Sequence, residues 1–264
     1  MKKLELYQFG YKYLVENCKI ETERLDYYLN FWKYRQPATI EELCKNMIDH
    51  AKNRRDMSNS IGELQHLSEV LFNFNPQRIL ARYSNWEVLF DEINLKVKTP
   101  GRMEKNNPHN YWVIYCKSIL SIAVFLTRFK SVENFRKYSN QFLTGDLDLR
   151  LALPLIIKEE IFGYQFALAC DFIKENVSPE FIKPDTHIRY IFTETGICKK
   201  GDSDFDIFRH GIKYCQEIEI MPYNVDRLFW LIGSGDLFKT PKFSRKRFKT
   251  DKKKFVEKFK EIYE

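Results

Sequence analysis

A carboxylate with basic neighbours lies in the C-terminal half of the sequence, in the run Lys183-Pro184-Asp185-Thr186-His187. Proline disfavours helical backbone at the residue before it, and Asp185 is a good N-cap for a helix whose apolar face would be Ile188, Ile191 and Phe192. The positive end of a helix dipole keeps such a carboxylate ionised. An ionised carboxylate held where a loop becomes a helix could stabilise a developing positive charge or activate a water molecule.

The same residues also have a purely structural interpretation. Asp185 would be an N-cap that pairs with Arg189 one helical turn later, and Lys183 would be an ordinary exposed lysine. His187 and Arg189 lie further along the helix and need not face the same side as Asp185. From these residues alone, the structural interpretation is the favoured one.

A second apolar helix is predicted upstream, from Gly163 to Ile173. This helix is entered through a glycine, and a loop then leads to Asp-Thr-His at the start of the next helix. This order of elements resembles the helix-hairpin-helix DNA glycosylase superfamily. In that superfamily a glycine-containing hairpin leads into an Ala-rich helix, and a short loop delivers the catalytic Asp. The resemblance rests on Asp185-Thr186-His187 and on Gly163 to Ala167, and it covers about a fifth of the chain. The run from Tyr223 to Gly235 also resembles a late helix in some members.

The resemblance implies an all-α fold, a two-lobed helical bundle with a degenerate helix-hairpin-helix motif and a DNA cleft between the lobes. We expect one lobe to comprise residues 1–60 and 200–264, and the other to comprise residues 61–199. The resemblance also implies that Asp185 is the catalytic carboxylate of a DNA N-glycosylase. Such an enzyme acts in base excision repair and hydrolyses the N-glycosidic bond of a damaged or mismatched base flipped out of duplex DNA. No residue specifies which lesion is excised.

Two positions depart from the family pattern. Bifunctional members carry a lysine two residues after the second hairpin glycine, and the residue here is Gln165, whose amide cannot form a Schiff base. The resemblance therefore implies a monofunctional enzyme without lyase activity. Ile161 replaces the first hairpin glycine, so the close phosphate contact of the hairpin and its bound monovalent cation lose part of their basis. This departure keeps a non-catalytic helical DNA-binding paralogue as an alternative.

Residues that could contact DNA occur in three segments. They are Gly163 and Tyr164 in the hairpin, Lys183 before the catalytic Asp, and Arg102, Lys105 and Asn107 in the polar loop 95–110. The loop could equally be a solvated connection between lobes. The tail from Lys239 to Lys260 is predicted to be a basic amphipathic helix. It either contacts phosphates or is a solvated helix packed by its aromatic residues, and the second alternative is slightly favoured.

Composition favours a soluble helical protein with an acidic partner. The 264 residues carry a net charge of +7, which favours double-stranded DNA as the partner. High aromatic content, few glycines and the lack of a long alternating run favour a helical bundle. The six cysteines are dispersed without a Cys-x-x-Cys, so we expect no metal site, no iron–sulfur cluster and no cofactor. Dispersed cysteines also fit an intracellular protein of the cytoplasm, nucleoid or nucleus.

The remaining patterns concern the core and the membrane. Tyr111 to Arg128 is predicted to be the central core helix, and Pro154 is predicted to bend or end the helix that starts near Leu147. The first residues lack the apolar segment of a signal sequence, and the most apolar stretch is too short to span a bilayer. We therefore expect a monomer without a membrane partner. A helical protein-interaction module, with Asp185 as a plain cap, is the last alternative.

Aromatic side chains could stack on a flipped base, although a place in the core is the simpler assignment for each of them. The candidates are Trp112, Tyr164, Phe166, Tyr223 and Trp230.

Overall fold

The structure is a computed structural model that describes residues 2–34, 36–54 and 57–263. Within these residues the chain is mostly helical and has almost no strand structure, which confirms the all-α prediction. The helices are α1 (Lys2–Glu16), α2 (Thr22–Leu29), α3 (Ile40–Ala51), α4 (Met57–Ile61), α5 (Pro76–Arg82), α6 (Trp86–Lys96), α7 (Tyr111–Thr127), α8 (Val132–Leu143), α9 (Leu147–Glu160), α10 (Phe166–Asn176), α11 (Thr186–Glu194), α12 (Asp204–Glu217), α13 (Pro222–Ser234) and α14 (Lys252–Tyr263).

Strand structure is limited, in the described residues, to one antiparallel pair of two-residue strands. β1 (Asp236–Leu237) pairs with β2 (Lys246–Arg247). Short 3-10 turns occur at Phe31–Tyr34, Leu64–Leu67 and Phe72–Phe74.

The chain divides into two compact units. The terminal unit comprises Met1–Arg35 and Ser178–Glu264, and the middle unit comprises Gln36–Val177. The expected lobes, 1–60 with 200–264 and 61–199, differ from this division at both junctions. As a result, the loop that carries Asp185 belongs to the terminal unit, whereas the hairpin around Gly163 belongs to the middle unit.

Helix α7 is the centre of the middle unit. It contacts α3, α4, α5, α6 and α9, and most of its side chains are buried. This confirms the prediction of a central core helix, and burying so much apolar surface is the main force that holds such a helix in place. No single described helix is long and apolar enough to cross a bilayer; α7 and α8 together, across a bend of 89°, reach the required length and composition.

Helix α9 runs through Pro154 to Glu160, so of the two predicted outcomes, a bend or a helix end, the helix end is wrong. Pro154 is buried with Leu151, Leu153 and Ile157. Proline removes one main-chain hydrogen bond from a helix interior, and we attribute the continuation of the helix to the packing of these neighbours. Helix α9 therefore reaches the hairpin, where Gly163 adopts a positive φ of 83° before α10 begins.

Helix α13 is the centre of the terminal unit. It contacts α1, α2, α11, α12 and α14. Its buried residues include two charged ones, Asp226 and Arg227. Helix α13 ends at Gly235 in the left-handed conformation, and the chain then turns directly into β1.

The basic tail is not one helix, contrary to the prediction for Lys239 to Lys260. Its first part forms the β1–β2 hairpin and the segment that follows, and only Lys252–Tyr263 is helical. Phe255 and Phe259 of α14 are buried against Phe9 of α1. Phe255 and Phe259 are thus part of the core, in line with one of the two alternatives, whereas Phe243 and Phe248 are only partly buried and the lysines of α14 lie outside the core.

Glu219 occupies a position at which glycine is the favoured residue. It follows α12 with φ of 56°, and the next amide, Ile220 N–H, donates back to the carbonyl of Cys215. Non-glycine residues in this conformation cost roughly 1–2 kcal/mol. We predict that Glu219→Gly raises the free energy of unfolding by about 0.5–1 kcal/mol, because the greater freedom of unfolded glycine offsets part of the gain.

Urea unfolding monitored by circular dichroism measures this change. Gln216→Gly is the matched control, because Gln216 lies inside α12 and its substitution should lower stability by about 1 kcal/mol. Equal losses of stability in both variants would contradict the prediction.

Candidate active site

Asp185 caps α11 with a single carboxylate oxygen. Its Oδ1 accepts hydrogen bonds from the main-chain N–H groups of His187 and Ile188, at 2.8 and 3.0 Å. The N-cap prediction is therefore confirmed. The second oxygen, Oδ2, accepts no hydrogen bond from any residue that the structure describes. The side chain is half-buried, so Asp185 has one oxygen held by α11 and a second that no described residue bonds to.

The loop before Asp185 is anchored to α13. The main-chain N–H of Lys183 donates to Oδ2 of Asp226 at 2.6 Å, and Asp226 is only 1% exposed. The preceding Phe181 and Ile182 are completely buried. Because the loop is fixed on both sides of Pro184, the position of the Asp185 carboxylate is determined before any ligand binds.

Arg189 does not pair with Asp185, so the predicted i,i+4 ion pair is wrong. Its guanidinium donates to the carbonyl of Asp202 and to a carboxylate oxygen of Asp204 at the start of α12. Of the two contacts that the purely structural interpretation predicts for Asp185, the N-cap bond is present and the ion pair with Arg189 is not.

His187 lies beside the carboxylate and in close contact with α13. Its ring meets Trp230 edge-on, with centroids 6.5 Å apart, and its Nδ1 is 3.5 Å from Nζ of Lys252. A Cβ on Gly233 would lie 2.2 Å from this Nδ1, so only glycine fits there. Burial lowers the pKa of His187 below its ordinary value; Asp185 opposes that shift, and Lys252 and Lys183 add to it. Neutral His187 is therefore the favoured form.

An aromatic pair continues from His187 to the surface. The rings of Trp230 and Phe238 have centroids 4.8 Å apart and are tilted by 31°, and Phe238 is 41% exposed. The guanidinium of Arg227 lies over the same Phe238 ring at 5.2 Å. Of the aromatic residues considered for stacking on a base, Trp230 alone is not buried; the others, Trp112, Tyr164, Phe166 and Tyr223, belong to the core.

The predicted hairpin residues lie in the middle unit and have separate roles. The ring of Tyr164 is buried, and its hydroxyl donates to the carbonyl of Met47 at 2.7 Å. A DNA contact by this ring is thus not compatible with its place in the core. Gln165 is the exposed N-cap residue of α10 and makes no side-chain capping bond. A Cβ on Gly163 would lie 3.0 Å from Oγ of Ser118.

The hairpin is tied to α7 by two serines. The N–H of Phe162 donates to Oγ of Ser121 at 2.9 Å, and its carbonyl accepts from Oγ of Ser118 at 2.8 Å. Ile161 is buried. At least one hairpin amide is therefore already used within the protein and is not available to a phosphate group.

The polar loop that precedes α7 is held by its own side chains. Arg102 pairs with Glu104 at 2.9 Å, Lys105 pairs with Asp91 at 2.5 Å, and Asn107 donates to Glu104 at 3.3 Å. Each side chain predicted to contact DNA in this loop thus already has a partner nearby. These pairs lie at the surface, where an ion pair contributes at most about 1 kcal/mol, so a nucleic acid could still replace them.

The described residues contain no group of three or more His, Cys, Asp or Glu side chains arranged to hold a metal ion. All six cysteines are free thiols, and five of them are buried: Cys44, Cys116, Cys170, Cys198 and Cys215.

Sequence reasoning named Trp230 as a stacking candidate but missed three other residues around Asp185, namely Asp226, Phe238 and Lys252. The one signal for them was the weak likeness of Tyr223 to Gly235 to a late helix of the glycosylases, which covers Asp226, Trp230 and Gly233.

Comparisons of the chain with protein-family models, with curated proteins and with solved structures find no match.

The histidine beside Asp185 makes a testable contribution to pH dependence. Since the pKa of His187 is lowered in the folded chain, the unfolded chain binds the proton more tightly. The free energy of unfolding should then fall as the pH drops through about 6.5, by at most about 1.4 kcal/mol per pH unit. We predict that His187→Gln removes this part of the loss, as measured by urea unfolding between about pH 7.5 and pH 5.5.

His109→Gln is the control, because His109 is exposed in the polar loop. It should keep the pH dependence of the natural chain. If the free energy of unfolding of His187→Gln falls with pH as it does in the natural chain, the burial of the His187 ring is not the cause of that fall.

Proposed function

We propose that this chain is a monofunctional DNA glycosylase that removes a damaged or mismatched base from duplex DNA. The observation that carries the proposal is the free Oδ2 of Asp185, on a carboxylate whose other oxygen is fixed by α11. A carboxylate held in this way can face a developing positive charge without reorganisation, which makes electrostatic stabilisation effective. The likeness of Asp185-Thr186-His187 to the glycosylase motif points to the same residue.

The proposed reaction requires one carboxylate and one water molecule. The bond between C1′ and the base nitrogen breaks, and its electron pair leaves with the base, which takes up a proton from solvent. The sugar then carries positive charge that Oδ2 of Asp185 stabilises. The water oxygen forms the new bond to C1′, and a proton from that water passes to Asp185.

Two further features favour a nucleic acid substrate. Trp230 and Phe238 form a partly exposed aromatic pair next to His187, and aromatic faces suit the stacking of an extrahelical base. Lys252 adds a positive charge at the same place. The likeness to the glycosylases and these contacts support DNA as the partner.

A non-catalytic DNA-binding protein is the second candidate. It is favoured by the hairpin, in which Ile161 replaces a glycine and the amide of Phe162 is bonded to Ser121. Release of a free base separates the two candidates, because both would bind duplex DNA and only a glycosylase would break the N-glycosidic bond.

The direct test uses duplexes that each carry one lesion: an alkylated purine, uracil, hypoxanthine, 8-oxoguanine or a mismatch. The natural chain should release the base from at least one of them. We predict that Asp185→Asn lowers this rate by about 10²–10⁴, the usual contribution of a positioned acid–base group. Asparagine is as good an N-cap as aspartate, so unfolding stability should change by less than about 1 kcal/mol.

Asp146→Asn is the matched control. Asp146 caps α9 in the same manner, through one oxygen that accepts from the N–H of Leu149. This substitution removes the same charge from a helix N-terminus and should leave the rate unchanged. Undiminished base release in Asp185→Asn would exclude Asp185 as the catalytic carboxylate.

The product should be an intact strand with an abasic site. Gln165 cannot form a Schiff base, and Lys158, the nearest lysine before the hairpin, pairs with Glu159 at 3.0 Å. We predict that strand cleavage appears only after hot alkali and that borohydride traps no covalent complex with DNA. Cleavage without alkali, together with trapping, would reveal an amine nucleophile that this assignment lacks.

A further inference from the structure

The positive charge of the chain is concentrated in sixteen residues. Residues 239–254, here called the basic arm, contain nine lysines and arginines and a single acidic residue, Asp251, for a net charge of +8. The whole chain carries +7, so the remainder carries −1. Any electrostatic attraction of this protein to an acidic partner therefore comes mainly from the basic arm.

We propose that the basic arm is the main phosphate-binding element of the protein, and that it takes over this role from the degenerate hairpin. The inference rests on nucleic acid being the partner, as in the proposed function, but it does not depend on the cleavage chemistry.

The arm has an ordered backbone that presents its cations at fixed positions. The β1–β2 pairing closes its first part, and within the turn the N–H of Thr240 donates to the carbonyl of Phe243 at 2.8 Å. The N–H of Phe248 donates to the carbonyl of Gly235 at 2.7 Å. An ordered element loses less conformational entropy on binding than a mobile tail.

Three cations of the arm anchor it to the terminal unit. Lys242 pairs with Glu23. Arg245 donates two hydrogen bonds to the carboxylate of Asp236, and the guanidinium of Arg247 lies 3.7 Å from the same carboxylate. These residues hold the arm on the protein, and their charges are partly neutralised.

Of the six other cations of the arm, five are exposed to solvent. In the described part of the chain no carboxylate lies within ion-pair distance of five arm lysines: Lys239, Lys246, Lys249, Lys253 and Lys254. All five are exposed. Elsewhere many surface lysines are paired, as in Lys3 with Glu217 or Lys96 with Glu92. A row of unpaired lysines suits a partner with regularly spaced negative charges, as in a phosphate backbone.

The arm also leads directly to the candidate active site. Lys252, which follows Asp251, has its Nζ 3.5 Å from His187 Nδ1, and His187 shares the first turn of α11 with the cap Asp185. At its other end, Lys239 follows the exposed Phe238. Phosphates bound along the arm would therefore belong to the nucleotides that flank the one at Asp185.

An anionic membrane is the other acidic surface that such an arm could meet. Stable binding of that kind combines electrostatic attraction to anionic lipids with apolar side chains that insert into the lipid. Phe243 and Phe248 are only partly exposed, since Phe243 packs against Tyr27 and the ammonium of Lys246 lies 4.8 Å above the Phe248 ring. The arm thus offers charge with little exposed apolar surface, which favours nucleic acid.

The test replaces Lys239, Lys246 and Lys249 together by glutamine in the full chain. A second triple variant, Lys130→Gln with Lys137→Gln and Lys213→Gln, removes the same charge from exposed positions outside the arm. Affinity for a short duplex is measured by fluorescence anisotropy between about 50 and 200 mM salt. We expect the arm variant to lose at least about tenfold in affinity, and the slope of log K against log salt to decrease in magnitude by about 2 to 3. The control variant should bind as the natural chain does.

Several results would overturn the inference. They are equal affinity and slope in the arm variant, equal losses in both triple variants, and a natural chain that binds phosphatidylserine vesicles through the arm but does not bind DNA. The catalytic proposal is tested separately. If DNA binding depends on the arm but no base is released, the proposed activity is wrong and the role of the arm is supported. If a base is released but DNA binding does not depend on the arm, the proposed activity is supported and the role of the arm is wrong.

Discussion

The candidate site depends on how one oxygen of Asp185 is held. Its Oδ1 accepts two main-chain N–H groups at the start of α11, and the preceding loop is fixed by the buried carboxylate of Asp226. These bonds fix the carboxylate in position, and no residue in the described part of the chain donates a hydrogen bond to Oδ2. A mobile carboxylate would lose conformational entropy on becoming ordered in the transition state, whereas this one is already ordered in the folded chain. The other groups, His187, Trp230 and Lys252, are arranged around this fixed point.

In the terminal unit, the residues that support the candidate site and the residues that carry the positive charge lie in different elements. Helix α13 provides the buried support, through Asp226 and the close approach of His187 to Gly233. The basic arm, in contrast, carries a net charge of +8, which exceeds the +7 of the whole chain. Under the proposed function the arm would bind a phosphate backbone, while Asp226 in the buried part of α13 holds the loop of Asp185 in place. Substitutions in the arm and at Asp185 should therefore affect binding and chemistry separately.

Local patterns in the sequence predicted the features that depend on local chemistry. The apolar run of α7 indicated the core helix, and Asp185 was identified as an N-cap because capping depends on neighbouring residues. Features that depend on distant contacts were not predicted. Arg189 bonds to Asp202 and Asp204 rather than to Asp185, α9 passes through Pro154, and the tail begins as a β hairpin. Trp230 reaches His187 only through the packing of α13 on α11, which no local pattern encodes.

The central claim, that Asp185 stabilises positive charge on a sugar, can be tested without knowing the lesion. The measurement compares affinity for two duplexes, one carrying a cationic pyrrolidine in place of the nucleotide and one carrying the neutral tetrahydrofuran analogue. Transition-state analogues bind at least about 100-fold more tightly than substrates because they carry the charge of the transition state, so the natural chain should prefer the cation and Asp185→Asn should lose the preference. Equal affinity for both duplexes, or a preference that survives in Asp185→Asn, would contradict the account.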